Sequence, residues 1–433
     1  MSVADTRSSG ASHADERLQD LGASYPAVRV ATEALAAPLS PEDCAVQSMP
    51  DASPVKWHLA HTSWFFETFV LESAMAGYRH FHPRFRVLFN SYYTTVGDQY
   101  ARPRRGLLTR PGLDEVLAYR AHVDERLVNL LQKGRVEGRL LDVIELGLHH
   151  EQQHQELMLT DVKHLLGCNP LRPAYRADLP ADVGRAAPLR WQALPEAIVE
   201  IGHDGRGFAF DNEGPRHRVL VPAFEFASRP VTNAEFLEFV RDGGYTRPEH
   251  WLSDGWLAKS EQGWRAPLHW EEGENDSWRN FTLGGLREMQ ADEPVCHVSY
   301  YEADAFARWA GARLPTEFEW ERVASGRPIE GNFVDSGRLH PAPNGSESPG
   351  GQPAQLFGDV WEWTASPYTA YPGYRPAAGA LGEYNGKFMC NQLVLRGGSC
   401  ATPRSHVRAT YRNFFPAPAR WQFTGFRLAR DAA

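Results

Sequence analysis

The run His149-His150-Glu151-Gln152-Gln153-His154-Gln155-Glu156 concentrates imidazole groups in one stretch of chain. His150 and His154 are four apart, so on a helix their rings share one face about one turn apart. That spacing suits two ligands of one metal ion. His149 precedes His154 by five residues and stands about 140° away around a helix, which takes it out of such a site. Two ligands do not hold an ion, so a third must come from another part of the chain.

The segment Trp57-His58-Leu59-Ala60-His61 offers one. Both of its histidines sit among apolar and aromatic residues, where an imidazole is costly without a partner. They are three apart and can face similar directions, so spacing does not choose between them. Three neutral histidines leave a divalent ion its full charge and favour capture of an anionic thiolate. Zinc would add one water and hydrolyse something. Iron(II) prefers six ligands and keeps three positions open, a count suited to gathering two substrates and dioxygen. Spacing does not choose between these metals.

The surrounding chain must supply helices to carry these residues. It has 433 residues, which suggests two to three domains. Hydrophobic residues make up 42%, as in a globular protein. With 45 Lys and Arg against 54 Asp and Glu, the net charge of -9 argues against a general nucleic-acid binder. No apolar run approaches the roughly 20 residues of a membrane span, and the polar first 20 residues carry no signal-peptide core. A cytoplasmic location is expected. The five cysteines, Cys44, Cys168, Cys296, Cys390 and Cys400, lack a C-x-x-C pair. Neither a disulfide framework nor a zinc ribbon is expected.

Four stretches read as long helices, 17–37, 55–75, 114–131 and 140–166, and suggest an up-and-down bundle. The third carries Val116, Tyr119, Val123, Leu127 and Leu130 at helical spacing. A loop over 80–111 holds Asn90-Ser91-Tyr92-Tyr93 and then Arg102, Arg104, Arg105 and Arg110. So long a loop inside a bundle points to function. Residues 168–195 are rich in Pro, Ala and Arg and read as a linker. From 196 to 433 the chain is dense in Gly, Pro and Trp. It shows strand-like runs at 218–221 and 393–396 and helical signals at 233–241 and 301–310. The expected fold class is therefore α plus α+β, a bundle over 15–167 followed by an irregular domain over 196–433.

The order His61, then His150-x-x-x-His154-x-Glu156, ahead of a Gly/Trp-rich domain, resembles the ergothioneine sulfoxide synthases, or hercynine oxygenases. In that family a DinB-like four-helix bundle precedes a domain similar to formylglycine-generating (sulfatase-modifying) enzymes, a variant of the C-type-lectin fold. The runs that carry the likeness are Pro230-Val231-Thr232-Asn233-Ala234-Glu235-Phe236, Arg313-Leu314-Pro315-Thr316-Glu317-Phe318-Glu319-Trp320-Glu321, Gly358-Asp359-Val360-Trp361-Glu362-Trp363, Arg396-Gly397-Gly398-Ser399 and Gly425-Phe426-Arg427. True formylglycine-generating enzymes use two nearby cysteines. Here Cys400 is followed by no other cysteine in the last 33 residues, so the resemblance implies a scaffold without that activity.

The family implies His61, His150 and His154 as ligands of iron(II), with Glu156 in a supporting role at most. It implies Gln153, Asn413 and Phe414, with Phe415 adjacent, as the pocket for hercynine, whose trimethylammonium group needs aromatic faces and polar oxygens. Arg102 and Arg105 are the expected partners of the co-substrate's carboxylate. Tyr92 and Tyr93 resemble the tyrosine pair of the branch that uses free cysteine, while mycobacterial-type members use γ-glutamylcysteine and a tyrosine of the second domain. The expected reaction joins hercynine, L-cysteine and O2 into hercynyl-cysteine sulfoxide, with Tyr92 or Tyr93 delivering the proton. Selenoneine synthases share both domains and stay open as an alternative, as does a zinc-dependent thiol transferase on the same bundle.

Overall fold

The computed structural model describes residues 6–134, 136–180, 184–345 and 352–432, with side chains from Asp15 onward. The chain divides into two compact units, one up to Leu165 together with Gly379–Leu381, the other formed by the rest.

In the first unit α1 (Thr6–Ala36), α2 (Val55–Phe66), α5 (Leu113–Gln132) and α6 (Gly138–Cys168) are the long helices. Between them lie the short pieces α3 (Glu72–Ala74) and α4 (Phe85–Leu88). Every residue of α2 is buried, so its sequence has no solvent-facing stripe, and its polar members Lys56, His58, His61, Thr62 and Ser63 bond inside the protein. A five-residue π turn, Glu67–Leu71, follows it, so the apolar run over 55–75 is not one regular helix. Val116, Tyr119, Val123 and Leu127 of α5 are buried as their spacing requires. Leu131 rather than Leu130 completes that stripe, because it continues the step of four from Leu127. The helix carrying His150 and His154 runs from Gly138 to Cys168, two residues beyond the expected 140–166 at each end.

A buried ion network ties three of these helices together. Glu151 of α6 accepts from Arg29 Nη1 of α1 at 2.7 Å and from Arg120 Nη2 of α5 at 3.0 Å. Asp124 accepts from Arg29 Nε and the Tyr25 hydroxyl. Glu151 is one residue past His150, so the network fixes the rotation of α6 about its axis.

The second unit is an α+β domain of small sheets. The largest has the strand order Asn413–Pro416, Gln392–Arg396, Trp361–Pro367, Thr424–Gly425, with only the last pair parallel. Another joins Trp191–Leu194, Phe224–Ala227 and Ala429–Asp431, so pairing begins inside the stretch read as linker. Its helices α7 (Asn233–Arg241), α9 (Tyr300–Trp309) and α10 (Glu317–Ala324) each start with a capping box: Thr232 with Glu235, Ser299 with Glu302, Thr316 with Glu319. The remaining helix, α8 (Ser253–Gln262), ends at Gly263 in the left-handed conformation. The core is built from Val221, Phe224, Phe226, Trp320, Phe333 and Phe357. Gly358, at φ 77°, passes so close to Asn332 that a Cβ would lie 2.5 Å from its carbonyl oxygen. Only glycine fits there. No described helix is long and apolar enough to cross a membrane.

Candidate metal centre

His61 stands on α2, and His150 and His154 stand on α6. All three are buried, and each offers one nitrogen within 4.8 Å of the others. His61 Nε2 and His150 Nε2 are 3.2 Å apart. Burial pushes the His150 imidazole from 6.5 down to about 3. Burial, and then the neighbouring His150, hold His61 and His154 well below their usual range. The three rings are therefore neutral donors, the form a metal requires. His61 Nδ1 lies 2.6 Å from the Phe89 carbonyl. A carbonyl only accepts, so this nitrogen carries the hydrogen and Nε2 carries the lone pair. The arrangement fits a divalent ion held by imidazole nitrogens.

Trp57, one turn ahead of His61, forms a plate beside it. Its ring stacks on His61 at 4.6 Å and 14°, and the Arg105 guanidinium lies 3.3 Å from its centroid. The Trp57 indole donates to the Leu88 carbonyl at 3.0 Å. Arg105 is 2% exposed and donates to the hydroxyls of Ser53 at 2.9 Å and Ser91 at 3.3 Å. Its Nε has no partner, and no carboxylate pairs with it among the described residues. Burial, then the nearby Arg102, push its pKa below the usual 12.5, with Asp161 only partly opposing. Arg102 opens the same short 3-10 helix, Arg102–Leu107, but is exposed.

Asn90 shapes the loop ahead of the tyrosines. It is fully buried, its Oδ1 accepts from the Tyr93 N–H, and its Nδ2 donates to the Tyr93 and Gly97 carbonyls. Tyr92 and Tyr93 stack at 4.6 Å. Tyr93 is buried against Trp64 and Phe69, and Trp64 in turn stacks on His61 at 5.5 Å. Tyr92 is half-buried. Ser91 links this loop to Arg105.

Gln153 is half-buried on α6 beside His154, and Glu156 is buried but outside the group of ligand nitrogens. Asn413, Phe414 and Phe415 belong to the second unit, half-buried on one strand. There Phe414 stacks on Tyr368 at 4.0 Å and 10°, and Phe388 lies 6.0 Å away. The Asn413 Oδ1 accepts from the Phe414 N–H.

Asp161 escaped the reading of the sequence, and His58, weighed there beside His61, takes a different place from a ligand. His58 bonds both His154 and Asp161, at 2.8 Å and 3.1 Å. Asp161 is seven residues past His154, the same face of α6 two turns on, and that spacing was the available signal.

Residues 192–352 and 353–432 match the sulfatase-modifying factor enzyme 1-like domain family, and residues 25–158 match the DinB superfamily. The chain is 33% identical over 408 residues to a hercynine oxygenase of Mycolicibacterium thermoresistibile, covering 88% of both chains. It is 34% identical over 405 residues to the hercynine oxygenase of Mycobacterium tuberculosis, 88% of this chain and 92% of that one. A formylglycine-generating enzyme of Streptomyces coelicolor is 31% identical over 312 residues, 60% of this chain and 95% of its own length.

Proposed function

The chain belongs to the hercynine oxygenase family, and on that premise we propose an iron(II)- and O2-dependent reaction joining hercynine to free L-cysteine. A C–S bond forms at the imidazole C2 and the sulfur is oxidised, giving hercynyl-cysteine sulfoxide. The balance is one C–H, one S–H and one O2 consumed, with one oxygen on sulfur and the other leaving as water. Iron held by His61, His150 and His154 would supply the redox chemistry with dioxygen and open positions for the substrates.

The observation that carries this reading is a trio of buried, neutral imidazoles beside a buried arginine without a counter-charge. A thiol amino acid brings the complement of both, a thiolate for the ion and a carboxylate for the guanidinium. Arg105 holds that carboxylate, with Trp57 and the two serines keeping the guanidinium in place. Arg102 adds attraction from the solvent side. The Tyr93 or Tyr92 phenol delivers a proton during oxidation, which turns the chemistry away from simple thiol dioxygenation. For the trimethylammonium group of hercynine, Gln153 offers an amide oxygen next to His154 in the first unit. The Asn90-Ser91-Tyr92-Tyr93 loop, tied to Arg105 through Ser91, supports free cysteine as the thiol.

The test is a competition. The full chain receives iron(II), air and hercynine, with cysteine, γ-glutamylcysteine and a selenosugar together, and products are read by mass spectrometry. The cysteine sulfoxide conjugate is expected to dominate. A dominant γ-glutamylcysteine or selenium conjugate overturns the choice of co-substrate. Tyr92→Phe or Tyr93→Phe is expected to divert product toward cysteine sulfinate, and unchanged ratios in both variants remove the phenol from the reaction.

A further inference from the structure

His58 lies one turn before His61 and is equally enclosed, 3% exposed, yet it stands outside the group of ligand nitrogens. Both of its ring nitrogens are engaged. Nε2 is 3.1 Å from Asp161 Oδ2, and Nδ1 is 2.8 Å from His154 Nδ1. The same Asp161 oxygen accepts the Ser53 backbone N–H at 2.8 Å. Asp161 is itself buried, 6% exposed.

We propose that Asp161 and His58 form a directional relay that sets the tautomer and ring orientation of His154, making both of them positioning residues of the metal site. The proposal rests on the reading of His61, His150 and His154 as ligands. Its direction follows from what each atom can do. A carboxylate oxygen accepts, so His58 Nε2 carries the hydrogen. In a neutral imidazole the other nitrogen is then an acceptor. The single hydrogen between His58 Nδ1 and His154 Nδ1 therefore belongs to His154. That leaves the lone pair of His154 on Nε2, the nitrogen free for an ion. The reverse arrangement would place a hydrogen on His154 Nε2 and remove it as a ligand. His61 is set by a simpler device, its Nδ1–H on the Phe89 carbonyl. Two ligands thus take their tautomer from two different parts of the chain, one from a loop carbonyl and one from a carboxylate two turns along its own helix. Outer partners of this kind orient metal-binding histidines and raise their basicity.

Two measurements test the relay on the full chain. With ¹⁵N-labelled histidine and zinc as a diamagnetic probe, long-range ¹⁵N–¹H correlations read each tautomer. His58 is expected to carry its hydrogen on Nε2 and His154 on Nδ1. A hydrogen on His58 Nδ1 overturns the proposal. Cobalt(II) affinity, measured against a competing chelator, is expected to fall about 10- to 100-fold in His58→Phe and in Asp161→Asn. Asp161→Asn, which keeps an acceptor of the same shape, should sit at the lower end. Both should shift the cobalt ligand-field absorption. The double variant should bind no more weakly than His58→Phe alone, because Asp161 acts through His58. Wild-type affinity and absorption in folded single variants, or losses that simply add, overturn the relay. If His58→Phe does not fold, Asp161→Asn decides by the same two readouts. A wild-type chain that takes up neither zinc nor cobalt would instead sink the ligand reading itself.

Discussion

Arg105 and Arg396 are buried to nearly the same degree and live in opposite surroundings. Arg396 of the second unit bonds Glu317 and Glu321, each at 2.9 Å. Arg105 of the first unit rests on a tryptophan face and two serine hydroxyls. The contrast runs through both units. Among the described residues the buried arginines are Arg29, Arg105, Arg120, Arg229, Arg396, Arg412, Arg420 and Arg427. All but Arg105 have a carboxylate within 4.0 Å. A buried charge is tolerated when it is paired. On the reading proposed above, Arg105, kept buried and solvated only by hydroxyls and a π face, is held ready for the carboxylate of the substrate. On that reading partners, not burial, tell a functional arginine from a structural one.

The largest effect that could break this comparison is on stability. Glu317 takes hydrogen bonds from both Arg396 and Arg412. Glu317→Gln leaves the buried Arg412 without a carboxylate and Arg396 with Glu321 alone, and should cost about 3–5 kcal/mol in denaturant unfolding. The cost should also depend on pH. Burial opposes the charge on Glu317, but Arg412 and Arg396 outweigh it and hold the carboxyl below 4.5. A depressed folded-state pKa contributes stability above the unfolded value and loses it as pH falls through the folded value. The gap between wild type and Glu317→Gln should be full above pH 4.5 and shrink below it. A gap that widens in acid would mean that the carboxylate is not what the arginines need.

Arg105→Leu should show the reverse profile. Removal of a charge-assisted contact with the substrate carboxylate, worth about 1.5–3 kcal/mol, should raise KM for cysteine by roughly 10- to 150-fold. Unfolding free energy should change little, because no ion pair is lost. If Arg105→Leu unfolds the protein as Glu317→Gln does, Arg105 is a structural arginine and the distinction fails. The smallest effect is expected at Arg102, which is exposed. Arg102→Ala should change KM by no more than a few-fold, about 1 kcal/mol or less, and the change should fade as salt is raised. A salt-independent loss as large as that of Arg105 would move the carboxylate contact outward.

The sequence disclosed what local periodicity controls. His150 and His154 announce themselves by their spacing, and the helical signals at 233–241 and 301–310 match α7 and α9. What it withheld was tertiary. His58 and His61 are both compatible with the third ligand position, and only the rotation of α2 against α6 separates them. That rotation depends on packing around twelve buried residues and on the Glu151 network, neither of which has a local signature. Arg102 and Arg105 are likewise indistinguishable by type and neighbourhood until the loop folds over Trp57. Asn90 read as part of a tyrosine motif, whereas its side chain is the post around which that loop turns.

The three-stranded sheet of the second unit has one more implication. Trp191–Leu194 and Ala429–Asp431, its first and last strands along the chain, flank the same partner, Phe224–Ala227. Both run antiparallel to it, so they lie on its two opposite sides and point the same way. Strands from near the two ends of the unit's sequence are thus closed into one small sheet, and pairing as non-local as this forms slowly.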